Sequence, residues 1–227
     1  MATTVPDGIW TPDDSTAYNP PIDLAAMADT VQTGLNNVRG EITSQNRQFY
    51  GPAAARGSLT GVNLGDTYQD TDGARVMHRY DGQWRAWESE WISWTPVLAA
   101  GAGSFAVGNG TLSARYRYTG GQIAFIFRML FGSTSSIGTN PSFTLPVNIE
   151  GTFSAYAVVG RGTLGVTNGS AVADGVCYRT AASVNQVTIG TWGVSSTFPA
   201  ITGATSSTPF GWGANCYIEL AGTYNPA

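Results

Sequence analysis

Lysine is missing from the 227-residue sequence: all 11 basic residues are arginine, set against 15 Asp and Glu. With a formal charge of −4 and a pI of about 4.8, no basic field exists to displace counterions from phosphate, so nucleic-acid binding is not expected. Charged residues of all kinds make up 11%, less than half the roughly 25% of an ordinary soluble protein. An aromatic content of 11% argues against disorder, and 29 glycines argue against a helical bundle. Two cysteines, Cys177 and Cys216, are too few for a disulfide scaffold and either pair or simply pack. No apolar run approaches the ~18 residues of a membrane span, and the opening MATTVPDGIW lacks the basic and apolar regions of a signal peptide. A soluble chain made without a secretory leader, with no membrane insertion, is the expectation.

The charge that is present is unevenly placed. Residues 1–90 carry 6 Arg and 12 Asp and Glu, whereas residues 91–227 carry 5 and 3, together with 20 of the 29 glycines. Four units are read from this. Residues 1–22 hold Pro6, Pro12, Pro20 and Pro21 and form an arm, whose Ile9, Trp10, Tyr18 and Ile22 suit docking into a partner. Residues 23–50 have the helical period: Leu24, Val31 and Val38 fall at one heptad position and Ala28, Leu35 and Ile42 at the other. Continued, the count puts Gln45 and Phe49 on the same seam. A stripe of two apolar residues per heptad suits a coiled coil and self-association.

Residues 51–90 begin as a Gly-rich connector and continue as a three-stranded meander around two Asp-Gly turns, Asp72-Gly73 and Asp81-Gly82. Residues 91–227 read as continuous β. The clearest hairpin runs Thr111 to Thr119, turns at Gly120-Gly121 and returns from Gln122 to Phe131. Further strands are expected at Ser142 to Val147, Thr152 to Val159, Val176 to Thr180, Gln186 to Thr191 and Cys216 to Tyr224. The return strand is apolar on both faces, which implies two stacked layers or an oligomer interface. The fold class is therefore mainly β: a short N-terminal coiled coil, a small meander and a C-terminal antiparallel β-sandwich of jelly-roll type.

Catalytic chemistry has little to stand on. The one histidine, His78, alternates with Val76 and Tyr80 as a structural residue would, and the two cysteines lie about 40 residues apart, which matches no zinc spacing. Asp70-Thr71-Asp72-Gly73 looks like part of a calcium loop but lacks the closing Glu, so a turn explains it better. A glycosidase would have only Glu150, Asp174 and Glu219 to draw on in the β region. No glycine motif follows a strand and opens a helix, so no nucleotide cofactor is expected. Neither catalytic nor metal-binding residues are assigned. Binding remains, through rings in turn-like settings: Trp192, Trp212, and Tyr178 beside Arg179.

The order of arm, coiled coil, Asp-Gly meander and terminal β domain resembles the minor tail proteins and receptor-binding fibres of tailed bacteriophages. Gly65-Asp66-Thr67-Tyr68 through Tyr80-Asp81-Gly82-Gln83-Trp84 is similar to the small β module that precedes their tip domains. Trp94-Thr95-Pro96, then Gly108-Asn109-Gly110-Thr111-Leu112, Arg115-Tyr116 and Gly120-Gly121 are similar to the opening of the tips, and the helix after Pro20-Pro21 resembles the start of actinobacterial phage tail proteins. The resemblance implies a homotrimer located in the virion tail, with the arm attached to another tail or baseplate protein and the head meeting a host-surface glycan or protein. It would also allow Phe127, Met129 and Phe131 to be buried between chains. Two other readings stay open: a fibre or decoration protein that binds only another virion protein, and a cell-surface polysaccharide depolymerase.

Overall fold

A computed structural model describes residues 3–4, 10–11, 20–44, 46–150, 157–180, 185–195 and 198–227. In the arm, strands β1 (Thr3–Thr4) and β2 (Trp10–Thr11) pair antiparallel, while Ile9 and Tyr18 lie outside the described residues. Helix α1 (Pro20–Ser44) includes Ile22 in its first turn and opens on two prolines, which lack only N–H groups that a first turn leaves unpaired anyway. It stops sooner than the heptad count suggests. Phe49 is not on the seam but on strand β3 (Gln48–Gly51), opposite Tyr68. Phe49 and Tyr50 are strand formers with a neighbouring strand to join, and that pairing overrides the helical period.

Strands β4 (Thr67–Asp70), β5 (Met77–Tyr80) and β6 (Trp84–Glu88) form the expected antiparallel meander. β3 adds a fourth strand, parallel to β4, and the connector contains a one-turn helix, α2 (Ala53–Arg56). At the second turn Gly82 takes a φ of +106°, a backbone state that side chains rarely adopt, and the Asp81 amide donates to the Gln83 carbonyl at 3.1 Å.

The remaining strands are β7 (Ile92–Ser93), β8 (Leu98–Ala99), β9 (Thr111–Thr119), β10 (Gln122–Leu130), β11 (Ser142–Thr144), β12 (Val158–Val166), β13 (Val172–Arg179), β14 (Gln186–Ser195), β15 (Phe198–Gly203) and β16 (Cys216–Tyr224). All belong with the meander to one large mixed sheet, ordered β3-β4-β5-β6-β9-β10-β16-β12-β13-β14-β11-β8, with β15 beside β14 and β7 beside β9. The chain is thus mainly β. Residues 92–99 pair with β9 at Ile92 and with β11 at Leu98, so the path of pairing in the head returns to its starting strand. Pro96, buried at the bend between those two short strands, has no N–H to lose there.

Closure turns one face of the sheet inward, so that opposite walls meet over an apolar interior. Phe127 of β10 stacks on Phe143 of β11 at 4.2 Å between ring centres, and Trp94 crosses the gap to donate its indole N–H to the Thr144 carbonyl at 3.2 Å. Ile123, Phe125, Phe127 and Met129 alternate inward along β10, and each is worth roughly 1.5–3 kcal/mol of burial. This corrects one expectation. Phe127, Met129 and Phe131 are 0%, 0% and 3% exposed within a single chain, so they fill its own core and are not spare surface for a neighbour. The other face of β10 presents half-buried Ala124 and Ile126, and the exposed Arg128 and Leu130.

The strand expected at Thr152 to Val159 lies mostly outside the described residues; β12 begins at Val158 and runs on through a glycine-rich sequence, VVGRGTLGV. At Gly162 a Cβ would fall 1.9 Å from the Glu219 carbonyl oxygen, so glycine is what lets β12 lie against β16 there. The meander joins the head at one register pair, Glu88 with Thr119. Around it the Gly121 amide donates to the Trp87 carbonyl at 3.0 Å and the Tyr118 amide to the Ser89 hydroxyl at 3.0 Å.

Candidate functional site

Among the described residues, the apolar stripe of α1 is left largely exposed. Leu24, Val31 and Leu35 are 61%, 60% and 56% exposed, Ala28 is exposed, and Met27 beside the stripe is 51% exposed. Val38 and Ile42 continue the same period along the helical backbone. A run of large exposed apolar side chains on one helix of about 38 Å is the kind of surface that marks an interaction site.

Below the helix, charges fasten the chain to the meander. Asp66, fully buried, accepts hydrogen bonds from the Arg47 amide (2.8 Å), the Arg47 Nε (3.2 Å) and Nη2 (2.8 Å), and the Asn63 amide (2.8 Å). Burial alone would push this carboxyl up, but the Arg47 side chain and the two amides outweigh it and hold it below its ordinary value. A second cluster joins Arg56 to Asp70 at 2.9 Å and Asp70 to His78 Nε2 at 3.0 Å, while Asp72 caps α2 by accepting from the Ala53 amide at 3.0 Å. The acids of the calcium-like string are thus engaged with protein donors.

His78 is buried, its Nδ1 has no hydrogen-bond partner among the described residues, and the bond to Asp70 selects the tautomer with the proton on Nε2. Burial, with a smaller contribution from Arg56, lowers its pKa below 6.5, against the pull of Asp70. The unfolded chain therefore takes up this proton first, so the stability tied to neutral His78 is complete above pH 6.5 and is lost as pH falls through the folded value. Fluorescence of Trp84 and Trp87 during acid titration should show the meander weakening from pH 6.5 downward, and His78→Gln should flatten that slope. Equal slopes in the two proteins would rule this coupling out.

The residues nominated for surface recognition do not converge. Tyr178 and Arg179 are each 7% exposed on β13, so they belong to the packed interior and not to a rim. Tyr178 packs over Gly190, where a Cβ would come within 3.0 Å of its ring, with its hydroxyl near Gly203 of β15. Trp212 is half-buried, tilted against Phe131 at 5.1 Å and Phe210 at 4.8 Å, with its indole N–H donated to the Thr208 carbonyl at 3.3 Å. It meets β10 at the end away from the meander. Trp192 alone of the four stays open, 38% exposed, with the Arg161 guanidinium 5.6 Å from its ring centre.

The carboxylates of the head are spread as well. Asp174 and Glu219 are both register partners of Thr163, on the strands either side of it, which sets their backbones two strand spacings, roughly 10 Å, apart on an open face. Glu219 lies 4.0 Å from Arg128, and Glu150 sits elsewhere, next to the C-terminal segment through its bond to Asn225. Cys177 and Cys216 are both free and buried, and burial pushes the Cys177 thiol far above its ordinary range, where it is no nucleophile. Among the described residues no group of three His, Cys, Asp or Glu is placed to hold a metal ion, and no helix is long and apolar enough to cross a membrane.

A concavity of about 830 Å³ lies where meander and head meet and is lined by Arg79, Tyr80, Trp84 and Trp87 on one side and Tyr118 and Val147 on the other. Its rings come from β5, β6 and the end of β9, and nothing in the sequence order announces that they share a wall. The ion clusters were equally hidden, since Arg47 and Asp66 are 19 positions apart and Arg56 and Asp70 are 14 apart. No protein-family model, curated protein or solved structure matches the chain.

Proposed function

We propose that the chain is a virion structural protein: a homotrimeric tail or baseplate fibre. In this reading the N-terminal arm attaches to another tail protein, α1 forms a short three-stranded coiled coil, and a jelly-roll-like head binds a glycan on the host cell surface. The observation that carries it is the exposed apolar stripe of α1, which becomes a buried seam once copies of the chain associate. Two further features support it. The ion clusters around Asp66 and Asp70 stiffen the step from helix to head, as a spacer requires, and the head fills an apolar core with side chains of its own chain. The motif resemblance of the meander and of the head's opening strands supplies the tail location.

The test is adhesion by the intact protein. Fluorescently labelled full-length chain should have three times the mass of its 23.8 kDa polypeptide in light scattering and should decorate actinobacterial cells across a host panel. Three sites on one rigid head gain on the order of 10²-fold by avidity, so washing should not remove it. A trimer that decorates none of the panel yet is found in phage particles would favour the purely structural fibre instead. Release of reducing sugar from the cells would point to a depolymerase.

A further inference from the structure

Arg115 and Arg117 project from the outer face of β9, both exposed, and their guanidinium carbons lie 5.7 and 5.0 Å from the centre of one ring, that of Trp91. Trp91 is itself 37% exposed. Arginine and carboxylate meet at Arg47, Arg56, Arg85 and Arg128, whereas neither Arg115 nor Arg117 has a carboxylate within 4.0 Å among the described residues. Glu88 and Glu90, on the adjoining segment, pair with neither.

Every register neighbour of the two is uncharged: Ile126 and Ser93 flank Arg115, and Ala124 lies opposite Arg117. Two cations about 7 Å apart on one strand face, with no acid between them, repel each other. Folding does not call for this arrangement in a head that carries only 5 arginines and 3 acids. The indole orients both side chains and leaves their N–H edges free, and a guanidinium edge is a planar fork that matches carboxylate or phosphate oxygens two at a time.

We infer that Arg115 and Arg117, braced by Trp91, form an oxyanion-binding site for an acidic glycan polymer. This rests on the adhesive reading above and names its ligand class: a chain bearing repeated carboxylate or phosphodiester groups. Those two sources share the chemistry that a guanidinium recognises, and the probes separate them.

The full-length protein is titrated with polygalacturonate, poly(glycerol phosphate) and neutral dextran. It should bind one of the charged polymers and not dextran, and the polymer bound identifies the anion. Arg115→Gln with Arg117→Gln should weaken that binding about tenfold or more. Trp91→Leu, which leaves the charge unchanged, should weaken it several-fold. Arg128→Gln, which removes one charge from the same face, should have little effect. Light scattering must give the same mass for every variant, so that lost binding is not lost folding. The inference is overturned if neither charged polymer binds, if the double variant binds like the parent, or if Arg128→Gln costs as much as the double variant. Should the protein coat cells and ignore both polymers, only this inference falls; should it bind a polymer and coat no cells, the adhesive reading falls while the site stands.

Discussion

A chain carrying Val31→Asp together with Leu35→Asp should run in light scattering as a single 23.8 kDa polypeptide, while the parent runs at three times that mass. Both residues are more than half exposed on α1 of an isolated chain, so the charges meet no steric obstacle within it. The cost arises on association. Burying a Val or Leu side chain contributes roughly 1.5–3 kcal/mol, and two such positions on each of three helices sum to the order of 10 kcal/mol. That corresponds to about seven decades in the association constant, before the penalty of burying carboxylates is counted. The head should be unchanged, because its core is completed by Phe127, Phe143 and their neighbours from the same chain, and near-ultraviolet dichroism from its tryptophans would verify that. An unchanged trimer mass would transfer the oligomer contacts to the head and remove the coiled coil as the determinant.

Where side chains alternate in and out against one covered face, the sequence is enough to place a strand. Cys216 to Tyr224 falls where expected, and the Thr111–Thr119 and Gln122–Leu130 hairpin differs only at its last residue. The same alternation misleads about what covers the face. Phe127 and Met129 are apolar whether they meet a neighbouring chain or β11 of their own, and only closure of the sheet decides that. β12 is hard to read for the opposite reason, since glycine at 160, 162 and 165 lowers strand propensity while the close approach of β16 and β13 requires it. Tyr178 and Arg179 look like a recognition pair because a tyrosine beside an arginine suits a rim, yet on β13, paired on both edges, each is only 7% exposed. The oxyanion site was visible in part: Arg115 and Arg117 alternate outward with Tyr116 and Tyr118. Trp91, 24 positions before Arg115, comes beside them only because Ile92 pairs with Tyr116.

Asp66→Ala should detach the helix from the rest of the molecule in energetic terms. The carboxylate answers four N–H groups at once, three of them on Arg47, the residue through which the chain leaves α1, and Arg47 also reaches the Gly61 carbonyl. Removing one partner of a buried ion pair costs 3–5 kcal/mol in well-enclosed cases, and the partial exposure of Arg47 places this one near about 3 kcal/mol. The loss should be local. Amide exchange should accelerate by about two decades in β3, β4 and β5 and stay unchanged in β10 and β16, which share no hydrogen bond with this cluster. Acid should reproduce the effect in the parent. The Asp66 carboxyl is held below 3.8, so its contribution is whole above that value and disappears as pH falls through the folded pKa, later in the titration than the loss tied to His78. Uniform acceleration across the sheet would mean that meander and head unfold as one unit and that the Glu88–Thr119 junction transmits stability. If the exchange loss is confined to the meander, the same substitution in the proposed trimer should leave three folded heads on loosened necks, with the proposed adhesion by each head intact and the avidity gain of about 10²-fold reduced.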